Sequence, residues 1–176
     1  MTKPLVGISA CLLGEHVRYD GGHKLEPCLL DVLGKSVEFI PICPETECGL
    51  GVPREAIQLE EKNGSILLMT CTTRLDITPK MQKWIKIRLD ALGQLPLCGF
   101  IFKTKSPSCG PRRIEVFLPD GSIRYDGTGL FASGFKKRFP RIPVEDEERL
   151  RKNPLREIFL KKIFALQQSY QSNLSK

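Results

Sequence analysis

Leu5-Val6-Gly7-Ile8-Ser9-Ala10 runs apolar into Cys11, and Val37-Glu38-Phe39-Ile40-Pro41-Ile42 runs the same way into Cys43-Pro44-Glu45. Each run has the length and the β-branched or aromatic content of a short, buried strand. Between them Leu25, Cys28, Leu29, Val32 and Leu33 recur at helical spacing, with Pro27 at a tolerated first-turn position and Gly34 closing the segment. Strand, helix and strand within about 40 residues is the length of a right-handed crossover. The two strands are therefore parallel, and Cys11 and Cys43 come to the same edge of a sheet.

The same pattern continues outward. Thr78-Pro79 reads as an N-cap and first-turn proline for a helix through Met81, Trp84, Ile85, Arg88, Leu89 and Leu92, and Leu97 to Phe102 is a third strand. That strand feeds Lys105-Ser106-Pro107-Ser108-Cys109-Gly110-Pro111, a loop of residues that stop regular structure while offering hydroxyl, amine and thiol groups. Cys109 then belongs at the carboxyl edge too, where open α/β sheets bind ligands. Asn63-Gly64 between two alternating runs marks a small antiparallel hairpin, and Asp120-Gly121 marks a second. Residues 128–139 read as a helix, 141–144 as a last strand, and 145–152 and 154–171 as helices with an apolar stripe of Leu155, Ile158, Phe159, Ile163 and Leu166. The expected class is α/β, a Rossmann-like three-layer fold with a mainly parallel sheet and a small antiparallel hairpin insert. Residues 1–144 form its α/β domain and 145–176 a C-terminal helical extension of the same domain.

The chain of 176 residues is the size of one domain. Its net charge of +7 permits anionic partners, but no basic run is interleaved with aromatics, so nucleic acid is not an expected partner. No apolar run reaches the ~18 residues that cross a bilayer, and Met1-Thr2-Lys3-Pro4 leads into a strand rather than a signal-peptide core. A cytoplasmic protein without membrane contact is expected.

Seven cysteines in a reducing compartment point away from a disulfide framework. Cys28, Cys71 and Cys98 lie inside periodic apolar patterns and read as core residues, while Cys48 is either a thiol supporting a site or a loop residue. No C-x-x-C pair occurs. Cys11, Cys43 and Cys109 remain as a convergent trio, leaving one position of a tetrahedral ion, or one iron of a cubane cluster, without a protein ligand. Such an open position distinguishes catalytic centres from structural ones. Thiolates suit zinc, copper(I) and iron–sulfur centres alike. His16 and His23 sit in a Gly-rich loop without ligand spacing and read as non-ligands.

Ser9-Ala10-Cys11-Leu12-Leu13-Gly14, Val17-Arg18-Tyr19-Asp20-Gly21, Cys43-Pro44-Glu45, Gly49-Leu50, Pro53-Arg54, Asp76-Ile77-Thr78 and Lys105-Ser106-Pro107-Ser108-Cys109-Gly110 occur in order. Together they resemble the 2-thiouracil desulfidase family, long catalogued as a domain of unknown function, and in particular its longer subgroup. The resemblance implies a [4Fe-4S] cluster held by Cys11, Cys43 and Cys109, with zinc or no metal as the alternative in a sample purified in air. It implies non-redox desulfuration of a small thiolated nucleobase such as 2-thiouracil, with hydrosulfide as leaving group. Glu45 would be the acid/base for the attacking water and Ser106 the assisting hydroxyl. Ser9, Asp20, Lys105 and Ser108 are the expected substrate-binding positions. The contrasting reading is a non-catalytic module that binds a metal or cluster or senses redox state and contacts RNA. Such a module needs thiols but no acid, and Glu45 would then be a surface carboxylate paired with Arg54.

Overall fold

The computed structural model of the protein describes residues 2–174, without the side chains of residues 28, 173 and 174. The expected core placement of Cys28 thus falls outside what is described. In chain order the elements are β1 (Leu5–Ser9), α1 (Pro27–Leu33), β2 (Glu38–Ile42), α2 (Pro44–Glu47), β3 (Ile57–Lys62), β4 (Ser65–Thr70), α3 (Thr78–Leu92), β5 (Leu97–Phe102), β6 (Ile114–Phe117), β7 (Ile123–Gly127), α4 (Leu130–Arg138), β8 (Val144–Asp146), α5 (Glu147–Leu150) and α6 (Asn153–Leu174).

The crossover fixes the main sheet. β1 pairs in parallel with β2 on one side and with β5 on the other, and β8 adds in parallel beyond β5, giving the order β2-β1-β5-β8. On one face Val6, Ile8 and Ile101 pack with Leu29 and Leu33 of α1 and with Leu150, Phe159 and Ile163 near the C-terminus. On the other, Phe100 and Phe102 stack with ring centroids 4.2 Å apart and meet Phe131 and Phe135 of α4 and Met81, Ile85 and Leu89 of α3. Each fully buried Phe is worth roughly 1.5–3 kcal/mol of transfer free energy. This is the expected α/β sandwich of helix, sheet and helix. Among the described residues no helix is long and apolar enough to cross a membrane.

The hairpins form more than an insert. β3 and β4 turn at Asn63-Gly64, whose φ values of 52° and 75° are those the tight turn demands. β6 and β7 form the second hairpin, and β3 pairs in parallel with β6, so both belong to one sheet of order β4-β3-β6-β7. Leu59, Leu68, Ile114 and Val116 plug this sheet into the core shared with α3 and α4.

Several local expectations are corrected. Thr78 is the first helical residue rather than the N-cap, and its hydroxyl accepts from the Leu68 amide at 2.7 Å, tying α3 to β4. Leu25, Val32 and Ile158 lie outside the core at 43%, 40% and 50% exposure, since one helix stripe is narrower than the full apolar set. Cys71 is exposed because it falls just past the end of β4, where the chain has left the sheet. The last strand begins at Val144 rather than 141.

Candidate active site

The carboxyl ends of β1, β2 and β5 open on a cavity of about 560 Å³, closed by residues 17–19 and 24–26 and by the start of α5. Cys11 lies in a 3₁₀ turn directly after β1, Cys43 follows β2, and Cys109 follows β5 through the Lys105–Pro111 loop. The backbones of Cys43 and Cys109 are held by side chains and neighbouring turns. The Cys43 amide donates to Glu47 Oε1 at 3.1 Å, and Glu47 is met by Arg88 of α3 at 3.2 Å. The Cys109 amide donates to Ser106 Oγ at 3.0 Å and that of Gly110 to the Ser106 carbonyl at 2.7 Å. The carbonyls of Pro107 and Ser108 accept from Leu130 and Phe131 at 3.2 and 3.0 Å, satisfying amides that the start of α4 leaves orphaned.

Burial pushes the Cys11 thiol up to about 11, with the Lys103 ammonium pulling against it and the neighbouring Cys43 pushing further. Burial also raises Cys109 well above the ordinary thiol range, again with Cys43 adding to the effect and the Ser9 hydroxyl opposing it. The three thiols therefore lie within one another's electrostatic reach. Thiolates are costly in this pocket without a compensating cation. Among the described residues, no three or more His, Cys, Asp or Glu side chains are grouped so as to hold a metal ion.

Glu45 is gripped from both sides. Its Oε1 accepts from Ser108 Oγ at 2.7 Å, and its Oε2 accepts from Arg54 Nε and Nη2 at 2.9 and 2.5 Å. Ser108 Oγ lies 3.1 Å from Ser106 Oγ, so two hydroxyls, the carboxylate and the guanidinium form one continuous chain. The expected pairing with Arg54 is present, but the Arg54 and Glu45 side chains are only 5% and 14% exposed, so the pair is buried rather than on the surface. On the opposite wall Lys103 Nζ meets Glu147 Oε1 at 2.5 Å, and the Thr104 amide donates to Glu147 Oε2 at 2.8 Å.

Of the positions named from sequence, Cys11, Cys43, Cys109, Glu45, Ser106, Ser108, Ser9 and Lys105 all line the cavity. The Ser9 hydroxyl is engaged by the Lys103 amide at 3.0 Å. Lys105 stands at the rim with its side chain 83% exposed, 4.0 Å from Glu148. Asp20 is not brought to the cavity. Its carboxylate accepts from the Gly22 amide at 3.0 Å and faces Arg18 at 3.4 Å, stabilising its own turn. His16 and His23 pack edge-on with centroids 4.9 Å apart, away from the lining. Cys48 Sγ donates to the Glu45 carbonyl at 3.4 Å, bracing the turn that carries the acid. Sequence reading missed Lys103 and Glu147 and saw Arg54 only as a surface partner. The signal available for Arg54 was its place in the Pro53-Arg54 motif.

Three cysteine thiols and a clamped carboxylate thus share one cavity at the carboxyl edge of a parallel sheet, the edge where open α/β proteins bind ligands. The model of the family described as 2-thiouracil desulfurase matches residues 6–147, and the chain belongs to that family. It is also similar to a solved structure described as the [4Fe-4S]-dependent thiouracil desulfidase TudS. The two are 30% identical over 86% of this chain and 94% of that one, with a TM-score of 0.66. No curated protein matches.

Proposed function

We propose that the protein is an enzyme that converts a thiolated pyrimidine such as 2-thiouracil to its oxo form and releases hydrosulfide, with a [4Fe-4S] cluster held by Cys11, Cys43 and Cys109. The observation that carries the enzymatic reading is Glu45, held by Ser108 and Arg54 in the cavity that the three thiols line. A module that only binds a cluster or senses redox state has no use for an oriented carboxylate.

The residues fit the cluster. Three thiols lining one cavity are soft donors of the kind that iron–sulfur centres use. The high thiol pKa values fit a site completed by a cationic centre, and Lys103 adds positive charge beside Cys11. Free thiols suit a reducing compartment, the cytoplasm.

When bound, the cluster supplies a Lewis-acidic iron without a protein ligand, which draws electron density from the thiocarbonyl sulfur. Glu45 Oε1 takes the proton of the attacking water, its Oε2 being committed to Arg54. Ser106 Oγ, joined to Glu45 through Ser108, orients the water and connects it to the carboxylate. The oxygen of water bonds to carbon, the carbon–sulfur bond breaks, and sulfur departs as hydrosulfide with both its electrons. The proton held on Glu45 passes to the departing sulfur and the second proton of the water leaves the new oxygen for solvent, so the products are the oxo base, hydrosulfide and one proton, and no external oxidant or reductant is needed.

Anaerobically reconstituted protein incubated with 2-thiouracil in ¹⁸O-water is expected to give one hydrosulfide per uracil, with the label on the uracil oxygen. A cluster-loaded protein inert towards a panel of thiolated pyrimidines would establish the non-catalytic module instead.

A further inference from the structure

We infer that Arg54 is the positioning residue of this site: its guanidinium, fastened to two main-chain carbonyls, presents the Glu45 carboxylate to the reacting atoms in one orientation. The catalytic consequence rests on the function proposed above, whereas the structural one does not. Glu45 lies on the four-residue helix α2, which is too short to define its own side chain's direction. That direction has to come from partners. Arg54 supplies it by using its Nε and Nη2 donors on a single oxygen, Oε2, at 2.9 and 2.5 Å. The opposite oxygen is left for Ser108 and the cavity.

Arg54 is itself fixed. Its Nη2 also donates to the Val17 carbonyl at 2.8 Å, its Nη1 to the Gly51 carbonyl at 2.7 Å, and its backbone amide to the Tyr19 carbonyl at 2.8 Å. The loop holding Val17, the loop holding Gly51 and the short helix α2 with Glu45 meet at one guanidinium, on a side chain that is 5% exposed. The Val17 carbonyl is also approached by Cys43 Sγ at 3.9 Å, so the same residue fixes the acid and the wall beside a thiol. A lysine cannot replace this fork, because its ammonium is a single point donor on a flexible stem.

The test compares Arg54→Lys, Arg54→Ala and Glu45→Gln after anaerobic reconstitution, together with crystal structures of the cluster-free wild type and the lysine variant. Both Arg54 variants are expected to hold wild-type iron and sulfide and to lose about 100-fold in kcat for 2-thiouracil, with little change in KM. Added guanidinium ion should restore part of the kcat of Arg54→Ala and none of that of Glu45→Gln. In the lysine variant's crystal the Glu45 carboxylate should have left Ser108. A lysine variant with wild-type kcat, loss of iron in both Arg54 variants, or a Glu45 still on Ser108 in that crystal would each overturn the assignment. Should the wild type release no hydrosulfide from any thiolated pyrimidine, only the proposed function falls; the position of Glu45 in the two crystals still decides the role of Arg54.

Discussion

Burial sets the chemistry of Cys11 before any ligand arrives. With its pKa pushed up to about 11, the Cys11 thiol is neutral at pH 8, and the reactive thiolate appears only as pH rises towards 11. Iodoacetamide labelling of the cluster-free protein, followed by mass spectrometry of the Cys11 peptide, should therefore be slow at pH 8 and accelerate as pH rises. Labelling at pH 7 as fast as that of a free cysteine would show that the pocket does not impose this penalty. For the acid, Glu45→Gln is expected to keep the cluster and to lose about 10²- to 10⁴-fold in kcat, the usual contribution of a positioned general base. Hydrosulfide release normalised to iron content measures it. At this scale the thiols were legible because each ends a strand beside turn residues. The resemblance gave the assisting role to Ser106 and substrate binding to Ser108, yet Ser108 is the hydroxyl that meets Glu45 directly and Ser106 stands one hydroxyl further along, because only the folded turn decides which side chain reaches the carboxylate. Asp20 was misplaced for a related reason: a short carboxylate beside two glycines bonds its own backbone as readily as a ligand.

Among the elements, the loop that carries Cys109 depends on α4. A Cβ at Gly129 would lie 2.6 Å from the backbone carbon and oxygen of Ser108, so only glycine lets the start of α4 close on the loop. Gly129→Ala is expected to cost about 1–3 kcal/mol through overpacking and to displace Ser108 and Cys109. A lower Tm together with reduced iron per chain after reconstitution would show this, and a variant equal to wild type in both would refute it. The crossover and both hairpins could be read from local signals: helical spacing between two apolar runs, Asn-Gly and Asp-Gly. The parallel pairing of β3 with β6 could not, because Leu59 and Val116 meet only after α3 and β5 have intervened. Long-range pairing leaves no periodic mark in sequence. Thr78 was legible as a helix boundary, but its hydroxyl serves β4 rather than its own helix.

For the molecule as a whole, we propose that α6 belongs to the same folding unit as the sheet. Phe159 and Ile163 are 3% and 0% exposed, and Ile163 Cγ1 lies 3.0 Å from where a Cβ at Gly99 would stand. A chain ending at Lys152 would uncover Val6, Ile8, Cys98 and Ile101 on that face of the sheet. It is expected to lose near-ultraviolet circular dichroism and to aggregate, while the full chain unfolds in one transition; a shortened chain with the full chain's Tm would contradict this. The rigid sheet is what carries three distant cysteines to one cavity, and the account stands or falls on whether they hold a cluster. The direct measurement is iron and acid-labile sulfide per chain after anaerobic reconstitution of the wild type, Cys109→Ala and Cys98→Ala. About four of each are expected in the wild type and in Cys98→Ala, and almost none in Cys109→Ala. A colourless wild type without iron or sulfide, or equal loading in the two variants, would contradict it.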